Sequence, residues 1–225
     1  MVDVGAHVGS TLLPFAQSGW TVIAAEPDAI NRETLVDAVK ALPRVSVDGR
    51  AISDHREDGV RFYRSELSSG ISGLSSFHPS HAPSDSVSVI TLDDLLREYG
   101  VDRVDFLKID TEGFDFFVLK GLPWQAMRPT LIICEFEDAK TIPLGYAWTD
   151  MADFLIANGY TVIVSEWMPI VEYGSSHTWR SFNDYPCPLN HGRAWGNLIA
   201  VRDHGVESRL RREFRNVQRE HAAHA

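Results

Sequence analysis

Two periods of hydrophobic and polar positions alternate along this chain. Short apolar runs read as strands: Val2-Asp3-Val4, Trp20 to Ala25, Val45 to Val47, Val104 to Ile109, Thr130 to Glu135, Tyr160 to Trp167 and Gly196 to Arg202. Between them lie stripes at helical spacing. One runs from Thr11 to Ala16 and stops near Gly19. A second carries Leu35, Val39 and Leu42 behind a candidate cap, Asp28. A third carries Leu92, Leu95, Leu96 and Tyr99 behind Thr91 and closes at Gly100. Phe114 to Lys120 and Thr149 to Asn158 end on Gly121 and Gly159. Val60 to Tyr63 reads as an added strand and Val87 to Ile90 as extended chain. Residues 65–86, rich in Ser, Gly, Pro and His, read as a long surface loop. Strand–helix alternation predicts an α/β fold: a doubly wound, mostly parallel sheet with helices on both faces, in three layers.

The pattern divides into one domain over residues 1–204 and a tail over 205–225. Within the domain, residues 168–195 read as an insertion between the last two strands. In the tail, Val206, Leu210, Phe214 and Val217 make an apolar stripe flanked by arginines. Such a helix is expected to dock on the domain or on a second subunit, which would make a homo-oligomer.

Composition narrows the function. A formal net charge of −10 argues against non-specific nucleic-acid binding, which needs a basic surface. Two cysteines, Cys134 and Cys187, make no disulfide framework, and the expected compartment is the reducing cytoplasm. The first motif starts at the second residue and leaves no room for a signal peptide ahead of it. No apolar run approaches the length of a membrane span.

The candidate chemistry begins at Asp3-Val4-Gly5-Ala6-His7-Val8-Gly9-Ser10-Thr11. A strand end, a glycine turn and a helix start form a ligand cradle, because glycine lets backbone approach the ligand and the helix start offers unpaired N–H groups. The next apolar strand ends on Glu26-Pro27, whose carboxylate can accept hydrogen bonds from two ribose hydroxyls. The spacing differs from the dinucleotide pattern, and Asp3 would repel a pyrophosphate but attract an ammonium or sulfonium. S-adenosylmethionine is therefore favoured over NAD. An NAD-dependent oxidoreductase and a catalytically inactive cofactor-binding protein stay open as alternatives.

Further along, Ala51-Ile52-Ser53-Asp54, Thr91-Leu92-Asp93-Asp94-Leu95 and Leu107-Lys108-Ile109-Asp110-Thr111-Glu112-Gly113-Phe114 follow in order. With the glycine motif and Glu26-Pro27-Asp28, this series resembles the FkbM-type methyltransferases. The resemblance implies the seven-stranded class I methyltransferase fold and O-methylation of a sugar or secondary-metabolite hydroxyl. It implies that Asp3, Gly5 and Gly9 line the methionine end of the cofactor and that Glu26 holds the ribose, with His7, Ser10, Thr11 and Pro27 also among the cofactor-binding residues. It places Ala51 and Ile52 by the adenine and Asp110 near the transferring methyl. The chain departs from the family in having His7 where Asn is usual, and in lacking the leader that usually precedes the first strand.

Glu26, Asp110 and Glu135 fall at predicted strand ends, hence on one rim of the sheet. Asp110, Glu112 and Glu135 are the candidate catalytic residues. One carboxylate could serve as general base, or several could hold a divalent metal that acidifies the acceptor hydroxyl. The metal-free reading is favoured, and no zinc-ligand pattern is seen. In the insertion, Trp179, Tyr185 and His191 are candidate acceptor-binding residues beneath an aromatic cap. The expected partner is a small-molecule or glycan hydroxyl.

Overall fold

The computed structural model describes residues 1–173 and 175–224; Gly174 of the insertion and Ala225 of the tail lie outside the described residues. The chain opens with β1 (Val2–Val4), α1 (Leu13–Gln17), β2 (Val22–Ala25), α2 (Ala29–Val39) and β3 (Val45–Asp48). Asp28 caps α2, its Oδ1 accepting from the amides of Ile30 and Asn31 at 2.9 and 3.0 Å. A small sheet follows, made of β4 (Ala51–Ser53), β5 (Glu57–Ser65) and β6 (His81–Thr91). Thr91 then caps α3 (Leu92–Glu98) through a reciprocal box with Asp94. After it come β7 (Phe106–Ile109), α4 (Asp115–Lys120), β8 (Leu131–Glu137), α5 (Asp138–Thr141) and α6 (Trp148–Ala157). The chain closes with β9 (Thr161–Trp167), β10 (Trp179–Asp184), β11 (Trp195–Val201) and α7 (His204–His224).

The main sheet has the order β10-β9-β11-β8-β7-β1-β2-β3. Strands β3, β2, β1, β7 and β8 are parallel, while β11 runs antiparallel to β8 and β9. The chain winds outward from β1 to β3, then returns to the other side of β1 at β7. That reversal opens a crevice at the carboxyl ends of β1, β2 and β7, where open α/β sheets bind ligands. One face of the sheet buries Leu92, Leu95, Val118, Leu119, Met151 and Leu155 under α3, α4 and α6. The other buries Leu12, Ala16, Leu35, Val39 and Phe106 under α1 and α2.

Two expectations are corrected, and one strand went unread. The main sheet has eight strands rather than seven, because Trp179–Asp184 of the insertion pairs with β9. A bulge between Trp179 and Ser181 breaks the period of two and hides this strand from pattern reading. Residues 65–86 are not all loop, since β6 begins at His81. Its first half is largely polar and exposed, so no apolar run announces it. Strand β4 is too short to stand out.

The tail folds back onto its own domain. Phe214 stacks on Phe182 at 3.9 Å between centroids, Arg211 pairs with Asp184 at 2.7 Å, and Gln218 donates to the Phe182 carbonyl at 3.1 Å. Val206, Leu210 and Phe214 are half-buried, while Val217 is exposed. Among the described residues, no helix is long and apolar enough to cross a membrane.

Candidate functional site

The glycine turn closes against two strands at once. The amides of Gly5 and Ala6 both donate to the Ala25 carbonyl, at 3.0 and 3.1 Å, and the Asp110 amide donates to the Val4 carbonyl at 3.0 Å. Gly5 sits at φ +74°, and a Cβ there would stand 1.8 Å from the Asp110 carbonyl oxygen. Only glycine meets both conditions. His7 takes a left-handed φ of +50°, which turns its amide toward Glu26.

Glu26 is buried at the end of β2. Its Oε2 accepts from the His7 amide at 2.7 Å and its Oε1 from the Asp28 amide at 2.8 Å. These bonds fix the carboxylate plane and leave a second lone pair on each oxygen. Burial pushes its pKa up to about 7 despite both amides.

Around Glu26 a cavity is lined by Gly5, His7, Ser10, Thr11, Pro27, Arg50, Ala51, Ile52, Asp110 and Glu112. Asn31, Phe62, Phe114 and, from the 69–74 segment, Ser69, Gly70, Ser72, Gly73 and Leu74, which sequence reading did not single out, line it as well. The 69–74 segment is pinned over the cavity. His7 Nε2 meets Ser69 Oγ at 2.8 Å, and Asn31 Nδ2 donates to the Ser69 carbonyl at 3.3 Å. Gly70 and Gly73 were the available signal, yet composition alone does not separate a loop over a ligand from one in solvent.

Asp3 does not line the cavity. It is fully buried behind Lys108, whose Nζ lies 3.2 Å from Asp3 Oδ1 and 3.4 Å from Asp110 Oδ2. Burial raises the Asp3 pKa, with Lys108 opposing it. The two flanking carboxylates hold Lys108 protonated, well above its ordinary range, against the cost of its own burial. Gly9 also lies outside the lining; a Cβ there would meet Leu35 at 2.7 Å, so this glycine serves helix packing.

Asp110, Glu112 and Glu135 come together, each offering an oxygen within 4.8 Å of the others. Glu112 has φ +56°, an uncommon conformation for a residue with a side chain. Glu135 lies within β8, behind the cavity wall. Lys140, unnoticed in the sequence, is buried beside them. Its Nζ is 2.6 Å from Glu112, 3.1 Å from Glu135 and 2.9 Å from Glu137. Burial raises Glu112 to about 7 and Glu135 further, and Lys140 pulls both back. Asp115 is raised to about 6 by burial; it accepts from the Thr111 hydroxyl and from the Glu135 amide, at 2.9 Å each.

Trp179, Tyr185 and His191 do not line this cavity. Trp179 is in edge strand β10, donating to Ser165 Oγ at 3.2 Å and touching the His221 ring of α7. The Tyr185 amide donates to the Val162 carbonyl near the start of β9, which puts this residue toward the opposite end of the sheet. Its ring packs on Trp148, and its hydroxyl donates to Asp153. His191 caps a local turn, accepting from the Arg193 amide at 3.0 Å.

Fold and crevice define a Rossmann-like domain of the class I methyltransferase type. The Methyltransferase FkbM domain model matches residues 3–162, and the chain belongs to that family. Among solved structures, it is similar to the methyltransferase FkbM from Methylobacillus flagellatus KT, with a TM-score of 0.55 and 18% identity. That match covers 89% of this chain and 43% of the other, so this chain spans less than half of that one's length. A precorrin-6y C5,15-methyltransferase from Geobacter metallireducens GS-15 aligns over 89% of this chain and 78% of its own, with 13% identity and a TM-score of 0.46. No curated protein matches the chain.

Family membership implies S-adenosylmethionine as the cofactor, and the cavity suits it. Glu26 offers two lone pairs to vicinal hydroxyls. Ile52 and Phe62 supply apolar surface for a base. Asp110, its side chain 42% exposed, supplies negative charge at the other flank of β1.

Proposed function

We propose that this chain methylates a hydroxyl group of a sugar or secondary metabolite, using S-adenosylmethionine. One observation carries the reading. Glu26 at the end of β2 and Asp110 at the end of β7 flank β1 and line the same cavity. A ribose held at the first carboxylate would direct the rest of the cofactor across the glycine turn toward the second.

The cofactor supplies an electrophilic methyl group when bound. The residues of this chain then have three tasks. Glu26 accepts from the ribose hydroxyls and sets the cofactor's register. The 69–74 segment, tied down through His7 and Asn31, keeps water from the cavity. Asp110 takes the proton of the acceptor hydroxyl, and Lys108, 3.4 Å away, holds its carboxyl group at the cavity. The net charge of −10 favours a small-molecule or glycan acceptor over a nucleic acid.

Calorimetry tests the cofactor first. S-adenosylmethionine and S-adenosylhomocysteine should bind, and NADH should not; NADH binding alone would overturn the reading. Transfer of a labelled methyl group to a panel of saccharides and hydroxylated metabolites then tests the acceptor class. Binding without transfer to any member would favour a protein that holds the cofactor and does no chemistry.

A further inference from the structure

We propose that Lys140 is a built-in cation, standing where a divalent metal would otherwise bind Asp110, Glu112 and Glu135, and positioning the carboxylates it contacts, above all Glu112 at the cavity wall. Oxygens on opposite sides of one Mg²⁺ are ~4.2 Å apart, and on one Ca²⁺ ~5 Å. The three carboxylates, with oxygens within 4.8 Å of one another, are close enough to clasp such an ion. The ammonium of Lys140 already contacts two of the three, Glu112 at 2.6 Å and Glu135 at 3.1 Å. A metal sharing those oxygens would lie within about 5 Å of a positive charge.

Lys140 has no easy way out. Its side chain is 2% exposed. Glu137 holds it from a third side at 2.9 Å, and the rings of Phe77 and Tyr173 cover it at 5.3 and 5.7 Å. Helix α5 starts directly after β8, so the backbone folds residue 140 back over the strand end that carries Glu135 and Glu137. The 2.6 Å pair with Glu112 opposes the left-handed strain at that residue and keeps its carboxylate at the cavity wall, next to Asp110. Lys140 is thus a positioning residue that does for these carboxylates what a metal does elsewhere, without coordinating the acceptor oxygen.

The positioning role rests on the methyltransferase reading; the metal-exclusion claim does not. The test therefore reads metal directly, by Mn²⁺ electron paramagnetic resonance on the full chain. The wild-type protein should leave Mn²⁺ free in solution. Lys140→Ala should bind it at least ~10-fold more tightly, and Lys140→Ala with Glu112→Gln should lose that site. If the alanine variant is unfolded by circular dichroism, Lys140→Gln replaces it under the same criterion. Tight Mn²⁺ binding by wild type that Glu112→Gln abolishes would overturn the proposal, and so would a folded variant that binds none. In the activity arm, wild type should ignore EDTA. Lys140→Ala should lose methyl transfer and regain part of it with Mn²⁺ or methylammonium; rescue by neither would overturn the positioning role. Absence of methyl transfer by wild type would count against the proposed function and leave the resonance result to decide this one.

Discussion

Lys108 donates to the carbonyl oxygen of Gly5 at 2.7 Å, tying the end of β7 to the turn that follows β1. The same ammonium is the cation beside Asp3, which is otherwise buried with no hydrogen bond to either oxygen among the described residues. Lys108→Met would strand that carboxylate. Breaking one partner of a buried pair costs about 3–5 kcal/mol. Urea unfolding should show this loss, and adding Asp3→Asn should restore most of it. Equal losses in the single and double variants would mean the two residues are not coupled.

Two glycines with similar backbones should respond differently to the same change. Gly5 and Gly19 have φ +74° and +86°, but a Cβ at Gly19 meets nothing within 4 Å. Gly19→Ala should cost only the left-handed penalty, about 1–2 kcal/mol. Gly5→Ala adds a collision with the Asp110 carbonyl, and β1 and β7 must part to admit it. Its destabilisation should exceed about 4 kcal/mol, a size reserved for such gross steric conflicts. Similar midpoints in thermal unfolding of the two variants would remove the close approach as the reason for Gly5.

Much of this fold could be read in the sequence where local signals and burial agree. Apolar runs marked β1, β2, β7, β8, β9 and β11, each buried in the sheet, and Asp28 and Thr91 marked their helix starts. The signal failed where structure depends on distant partners. Strand β6 is half solvated and draws its order from β4 and β5. Strand β10 carries a bulge, and its Phe182 is covered by Phe214 from α7. At the site, Glu26 and Asp110 stood out because strand ends gather ligands. Lys140 did not, since its meaning comes from Glu112, which follows another strand. Trp179 suggested a substrate pocket by composition, but helix α7 and Ser165 account for its surroundings.

Glu26 should make both stability and cofactor binding depend on pH. Its folded pKa is raised from 4.5 to about 7, so the folded state holds this proton more tightly than the unfolded chain. The stabilisation is complete below the unfolded pKa and is lost as pH rises through about 7, a swing of about 3 kcal/mol. Glu26→Gln should flatten this component of the urea midpoint between pH 5 and 8. Ribose hydroxyls donate to the anion, so S-adenosylmethionine should bind more tightly as pH rises from 6 to 8 and release a proton at neutral pH. Calorimetry in buffers of different ionisation enthalpy reads that proton. Glu26→Ala should weaken binding by about 1.5–3 kcal/mol, the range for hydrogen bonds to a charged group. A pH-independent affinity in wild type would remove Glu26 from the ribose contact.

Asp110 is the carboxylate most able to act as base. Glu112, Glu135 and Glu137 share the Lys140 ammonium, and Glu135 lies behind the cavity wall. Asp110 lines the cavity, is 42% exposed at its side chain, and has Lys108 no closer than 3.4 Å. It can therefore turn toward an acceptor hydroxyl while Lys108 keeps its pair with Asp3. Asp110→Asn keeps the shape and removes the proton acceptor. It should lower kcat by about 10²–10⁴, the span of general-base contributions, while S-adenosylhomocysteine affinity changes little. A loss of cofactor affinity equal to the loss of rate would make Asp110 a binding residue. Glu112→Gln separates the remaining roles. It leaves the Asp110 carboxylate intact but loosens the Lys140 clamp, so kcat should fall less than in Asp110→Asn. The reverse order, with Asp110→Asn close to wild type, would make Glu112 the base and would require its proton, held to about pH 7 by burial, to leave before each turnover.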